Sequence, residues 1–318
     1  MKVEVSRAGI LDRSYFYYFA LILFAYGGFF LSLVGVYFAN SFLPLLLATL
    51  CLTAFFVQIG GLIHDSGHRA IFNTPRANDF LGYIFAGTIL TVYDSWKTTH
   101  NAHHANPNKI EEDPDMEIPF ITYDLVGYQR KSRLEKLLIE YQAYLYYPIL
   151  SMAAVSLRIG RIAYYKNFRV DMWWHLLIYI LGFAFWFIVP FFVFDFGKAL
   201  FSIALANFTM GIYMSNIFAP NHKGMPEVKA GTKLSFLEQQ ILTARNVRGG
   251  FLTDFLLLGL NYQTEHHLFP NCPRNKLKLI TPYVKKVCRQ LNLQYTEVSF
   301  VKSNKIILSE LNSVSLSV

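Results

Sequence analysis

Nine histidines occur in 318 residues, and eight of them fall into four tight groups. The groups are His64-Asp-Ser-Gly-His68, His100-Asn-Ala-His103-His104, His222 within Pro220-Asn-His-Lys223, and His266-His267 within Gln263-Thr-Glu-His-His. Imidazole is the commonest protein ligand for iron, copper and zinc. Residues i, i+3 and i+4 of a helix share a face, so His64 with His68, and His100 with His103 and His104, are predicted to point together. Gln263, His266 and His267 repeat the second spacing with glutamine first. Eight imidazoles are twice what one tetrahedral zinc uses; two metals with about four nitrogens each, plus open positions, is the economical reading. One His-x-x-x-His or one adjacent pair would be surface decoration more often than not. Nearly all the histidines standing at ligand spacing is a different matter. His175, outside the groups, is expected to be a satisfied interfacial histidine.

The elements that must position these groups are apolar helices. Residues 15–39, 42–63, 173–194 and 200–219 each form a run long enough for the ~20 residues that cross a hydrocarbon core. The first two make a helical hairpin through Asn40, Ser41 and Pro44, and the second leads straight into His64. The fourth delivers the chain to His222. Residues 80–93 are too short to span and are expected to return along or partly into the interface. Residues 141–157, aromatic and interrupted by Pro148, read as interfacial. The tail past Ser303 reads as loosely ordered. The fold class is therefore an all-α integral membrane protein: four transmembrane helices, interfacial helices and a cytoplasmic cap carrying the metals, all in one domain, 1–318. The loop near Asn40 has no Lys or Arg and the loop 195–198 has only Lys198, so both termini and all four histidine groups are expected on the cytoplasmic side.

Composition narrows the classes further. The chain is 53% hydrophobic and 16% charged, with a formal net charge of +8. No basic block accompanies a nucleic-acid motif, so the excess of Lys and Arg is read as a topology signal and as contacts to membrane lipids or an acidic carrier. Cys51, Cys272 and Cys288 include no close pair, which leaves neither a disulfide framework nor a Cys-x-x-Cys metal site. Cys51, inside an apolar run, is expected in the core. The first apolar run is too long for a signal-peptide core and reads as a retained helix.

The three boxes, in this order and membrane setting, resemble those of the membrane-bound fatty acid desaturases, which are non-haem di-iron enzymes. Gln263-Thr-Glu-His266-His267-Leu-Phe-Pro270 begins with Gln where many desaturases have His, and this is similar to the front-end, Δ5/Δ6-type branch. The likeness extends to Asp113-Pro-Asp115, to Tyr141-Gln-Ala-Tyr-Leu-Tyr-Tyr-Pro148 and to Asn246-Val-Arg-Gly-Gly250. The resemblance implies that His64, His68, His100, His103, His104, His222, His266 and His267 hold two irons, with O2 as co-substrate. It implies a fatty acyl substrate carried on a lipid, on CoA or on acyl carrier protein. Many front-end enzymes carry a fused cytochrome b5 domain with a His-Pro-Gly-Gly motif; this chain has no such motif, so electrons are expected from a separate protein such as a ferredoxin or cytochrome b5.

An unactivated methylene cannot be attacked by acid–base chemistry, so the expected reaction is oxidative removal of two hydrogens from a chain held in one bend. Asp65, Gln263, Glu265, Asp113 and Asp115 are candidates to orient the imidazoles, and Trp96 and Thr99 to shape the acyl channel. Lys97, Lys223, Lys229, Lys233, Arg245 and Arg248 are expected to form a basic docking face for the electron donor. A lipid hydroxylase or ketolase would share this ligand set. A divalent-metal transporter fits less well, because the spans are nearly free of ionisable groups. A zinc metalloprotease would need His-Glu-x-x-His, which is absent.

Overall fold

A computed structural model describes residues 1–116, 118–162, 173–229 and 231–318. The chain is divided into two compact units, one of residues 13–97 and 151–214, the other of 1–12, 98–150 and 215–318. Four helical stretches are long and apolar enough to cross a membrane: Tyr15–Phe38, Phe42–Gly67, Trp173–Val193 and Phe196–His222.

The unit of residues 13–97 and 151–214 holds the first three spans and most of the fourth. With α1 (Lys2–Arg7) preceding them in the chain, α2 (Tyr15–Phe38) and α3 (Phe42–Gly67) form the expected hairpin. Apolar residues cover α2 all round, as in a helix bathed in lipid. Its buried positions are nevertheless a narrow stripe, Tyr18, Leu21, Ala25, Phe29, Ser32 and Val36, at spacings of three or four. Gly28 lets the hairpin close: a Cβ there would stand 2.1 Å from the Phe55 ring. Small residues serve this purpose between membrane helices. Cys51 lies exposed on α3. This corrects the expectation of a core cysteine, since an apolar side chain facing lipid needs no protein cover.

Helix α4 (Pro75–Ile89) has 15 residues, about 22 Å at 1.5 Å per residue, and is too short to span. Thr88, in its last turn, meets Tyr26 (2.9 Å between hydroxyls) and accepts a 2.8 Å bond from Trp186 Nε1 through its carbonyl. Both partners belong to spanning segments, so α4 enters among them instead of lying flat. In α5 (Tyr93–Ala105), Lys97 is held by Asp79 at 3.1 Å and Asp94 at 3.4 Å. Those contacts set the first turn of the helix that carries the second box.

In the histidine-rich unit, α6 (Leu125–Arg130), α7 (Arg133–Ile139) and α8 (Gln142–Ser151) follow the second box; α9 (Ala153–Ile162), α10 (Trp173–Phe187) and α11 (Pro190–Val193) return to the first unit. Helix α8 exposes Tyr141 and Tyr144 beside and on it but buries Tyr146 and Leu150. One face of this segment is therefore exposed and the other is buried within the protein. The buried face packs with Ile121, Ile307 and Leu311.

Ile307 and Leu311 belong to α17 (Phe300–Ser315), which corrects the reading of a loose tail. Ser299 caps this helix by accepting from Lys302 N–H at 3.2 Å. Ile307, Leu311 and Val314, at i, i+4 and i+7, form its buried stripe. Each of the first two is worth ~1.5–3 kcal/mol when fully buried, enough to order four turns. Helix α12 (Phe196–His222) continues through Pro220, so His222 stands in its last turn and not beyond it. After it come α13 (Phe236–Leu242), β1 (Asn246–Val247), α14 (Phe251–Leu256), α15 (Gln263–Leu268), α16 (Thr281–Gln290) and β2 (Glu297–Val298). The two short strands pair in parallel, Asn246 with Glu297.

Candidate metal centre

Six of the eight grouped histidines lie in the unit of residues 1–12, 98–150 and 215–318, and they form two adjoining sets. His103, His222 and His267 offer ligand nitrogens all within 4.8 Å of one another, and so do His100, His104 and His266. The Nε2 atoms of His222 and His267 are 3.1 Å apart; His104 Nε2 is 3.2 Å from His100 Nε2 and 3.1 Å from His266 Nε2. The sets touch where the His104 and His267 rings stack at 4.1 Å. This corrects the expectation that the histidines of the second box, and of the third with the same spacing, point together. Neighbouring residues on a helix diverge by about 100°, from 3.6 residues per turn. His103 and His104 therefore part company, as do His266 and His267, and the second and third boxes each serve both sets.

Partners on the far side of the rings decide which nitrogens face inward. His103 Nδ1–H donates to Asp113 at 2.9 Å, His222 Nδ1–H to the Thr243 carbonyl at 3.0 Å, and His267 Nδ1–H to Gln240 Oε1 at 2.6 Å. These oxygens can only accept, so in the neutral rings Nδ1 carries the proton and Nε2 a lone pair. Three buried lone pairs then converge with no proton of their own to separate them. That donor set fits a cation, and the acceptors on Nδ1 are the outer partners that ligating histidines ordinarily have. Burial opposes a charge on His103, yet the hydrogen bond from Asp113 and the charges of Asp115 and Asp113 raise its pKa. A metal ion would exploit the same basicity.

Asp113 is the pivot. Its carboxylate accepts from His103, from the Asn108 N–H at 2.8 Å and from the Asp115 N–H at 2.9 Å. Burial opposes its ionisation, but His103 and Lys223 hold its pKa below the ordinary value. Asp115 is exposed and stands 3.7 Å from His103. Asn108 also donates to the His222 carbonyl at 3.0 Å, tying the loop after the second box to the end of α12. Asn108 has φ +52°, which asparagine tolerates better than most residues.

The third box is anchored differently. Asn221 Nδ2 donates to Gln263 Oε1 at 3.1 Å, which turns the Gln263 NH2 to 2.8 Å from His222 Nε2. Gln263 so placed offers the histidines a donor and not a ligand oxygen. Glu265 accepts from Asn246 at 2.6 Å and Tyr295 at 2.8 Å. It touches no imidazole there, which corrects its expected role; it instead locks α15 to the strand pair. Gly259 precedes the box at φ +74°, a backbone state that favours glycine.

His64 and His68, in the other unit, approach ring to ring at 4.7 Å. Asp65 lies 3.2 Å from His64 Nδ1 and accepts from Tyr18 at 2.9 Å. Trp96 packs on the His64 ring at 6.1 Å and closes over Gly67, where a Cβ would clash at 2.5 Å. Thr99 is half-buried. His175 stacks on Tyr83 at 4.6 Å with Nδ1 3.4 Å from Asp94.

Residue reasoning missed Gln240, Thr243, Asn108 and Asn221. Asn246 carried a signal, standing in the quoted Asn246-Val-Arg-Gly-Gly250; the other four carried none. Two residues of the expected basic face are buried. Lys223 donates to the Asp115 carbonyl at 2.8 Å, and Arg245 to the carbonyls of Pro220 and Lys223, each at 2.8 Å. Arg245 thus caps the turn that ends α12 and Lys223 ties that turn to the Asp115 backbone; with Lys97 bound to Asp79 the exposed members are Lys229, Lys233 and Arg248.

The chain matches the family model described as fatty acid desaturase over residues 40–299. It is 29% identical to the acyl-lipid (9-3)-desaturase of Borago officinalis, over 98% of this chain and 73% of that protein. It is 31% identical to the Delta(8)-fatty-acid desaturase of Helianthus annuus, over 89% of this chain and 65% of the relative. It is 28% identical to the Delta(6)-fatty-acid desaturase fat-3 of Caenorhabditis elegans, over 90% and 68%. With four membrane-length helices and two sets of converging imidazoles, the chain belongs to the fatty acid desaturase family.

Proposed function

We propose that this chain inserts a cis double bond into a fatty acyl chain, using O2 and two irons held by its eight grouped histidines. The observation that carries the reading is the convergence of three buried imidazoles, each held at Nδ1 by an oxygen acceptor, in a member of this family. His103, His222 and His267 would hold one iron and His100, His104 and His266 would contribute to the other; His64 and His68 complete the proposed set of eight ligands. When bound, such a pair supplies the oxidising power that a methylene C–H requires. The chain's residues do the positioning. Asp113, Thr243 and Gln240 fix ring orientation and tautomer, Asp65 does so for His64, and Gln263 steadies His222. Residues 1–318 act as one desaturase domain. The name of the Borago relative favours an acyl chain esterified to a lipid over one on CoA or acyl carrier protein.

Electron balance requires a partner. Reducing O2 to two waters takes four electrons; the two C–H bonds supply two and a donor supplies two. We propose a one-electron carrier such as a ferredoxin or cytochrome b5 as that partner, docking on Lys229, Lys233 and Arg248. Expression in a host without polyunsaturated lipids, followed by fatty acid profiling, should reveal a new unsaturated acyl species. Purified protein should make it only with O2 and a donor system present, and should contain two irons per chain. Hydroxylated or keto products would favour the hydroxylase alternative. Product formed without O2 would refute this mechanism.

Charge asymmetry around the spans supports a cytoplasmic location for both termini and for the histidine boxes. Reporter fusions at Asn40 and Lys198 are expected to read outside, and those at Asn108, Lys233 and Val318 inside. An outside signal at Asn108 would separate the first two boxes and defeat a shared centre.

A further inference from the structure

The unit of residues 13–97 and 151–214 holds a half-open apolar cavity of about 260 Å³, lined by α2, α3, α10, α11 and α12 and by Arg158 of α9. It extends from Tyr37, in the last turn of α2, to Met210 of α12. Met210 lies 14 residues into its helix, about 21 Å at 1.5 Å per residue. The guanidinium beside it therefore sits well inside a hydrocarbon core ~30 Å thick.

Arg158 has only neutral partners there. Its donors reach the Asn207 side-chain oxygen, the Ile89 carbonyl at 3.5 Å and the Met210 sulfur at 3.4 Å. Its Nε is buried without a partner, and so is the hydroxyl of Ser202, which lines the same cavity. Among the described residues no carboxylate pairs with it. An ionised group at this depth ordinarily faces the bundle interior or a cavity, pairs with another charge or with backbone carbonyls, and marks a functional site. Here an apolar slot ends on an unneutralised cation, and its chemistry is complementary to one molecule class: an aliphatic chain bearing a carboxylate.

We propose that this cavity binds one long-chain carboxylate, the chain lying among the spanning helices and the carboxylate on Arg158 and Ser202. A phospholipid head is too bulky, and too firmly held at the bilayer surface, to reach that depth. A carboxylate would replace the sulfur and amide acceptors with charge-assisted hydrogen bonds, which are shorter and about twice as strong.

The test is native mass spectrometry of the full chain released from detergent, titrated with oleate and with methyl oleate. The parent should retain one oleate at concentrations at least tenfold below those needed for the ester. Arg158→Gln should erase that preference. Should that variant fail to fold, Ala206→Phe, which fills the slot and leaves the guanidinium, should abolish oleate retention. Equal retention of oleate and its ester by the parent would overturn the proposal. So would undiminished oleate binding by folded Arg158→Gln or by Ala206→Phe, since either would place the carboxylate elsewhere.

Discussion

Replacing His222 with alanine is expected to reduce product to background while the protein still inserts into the membrane. His222 is the one grouped histidine outside the three boxes, which makes it the sharpest test of the ligand set. Its Nδ1–H is committed to the Thr243 carbonyl, and its Nε2 stands 3.1 Å from that of His267. The His103 ring lies 4.7 Å away. Removing one of three converging nitrogens should cost more than the ~10–100-fold that losing an orienting partner costs. Iron content should fall from two towards one per chain, a readout that a packing defect alone would not produce. His175→Ala, stacked on Tyr83 in the other unit, should keep most of the parent's activity. A His222→Ala enzyme as active as the parent, with full iron, would remove His222 from the set.

Asp113→Ala is expected to lower turnover ~10–100-fold, in the range seen for outer partners of metal ligands. The carboxylate receives three hydrogen bonds, from His103 and from two backbone N–H groups, and has no donor to offer. Asparagine would put an NH2 where one of those donors points, so Asp113→Asn should be nearly as damaging. Asp115→Ala is the control: its carboxylate is exposed and 3.7 Å from the same ring, and its backbone N–H is retained. The distinguishing measurement is iron loss to a chelator, which should be faster in Asp113→Ala and parent-like in Asp115→Ala. Parent-level turnover and iron retention in Asp113→Ala would show that His103 needs no such support. Glu265→Gln should act differently. Its partners Asn246 and Tyr295 hold α15 in place, so the variant should lower thermal stability before it changes chelator sensitivity.

The sequence by itself determined the four membrane helices and the grouping of the histidines. Both are one-dimensional signals: a ~20-residue apolar run is dictated by bilayer thickness, and ligand spacing by the pitch of a helix. The spans match within a few residues, with α3 and α12 continuing to Gly67 and His222. Only the tertiary structure decided how the histidines divide. The 100° between neighbours sends His103 and His104 to different sets, and which set each joins depends on where α12 and α15 stand. Tertiary structure also chose the ring-holding partners. Asp113, ten residues from His103, takes a place the neighbouring carboxylates of the boxes could have filled, and Glu265 turns away to Asn246 and Tyr295. Gln240 and Thr243 are ordinary polar residues of a capped helix until folding brings them within 3.0 Å of His267 and His222. The buried cations Lys223 and Arg245 make the same point. A charge in a sequence reads as surface, and only the fold explains why these two are drawn inside: Arg245 to carbonyls at the end of α12, Lys223 to the Asp115 carbonyl.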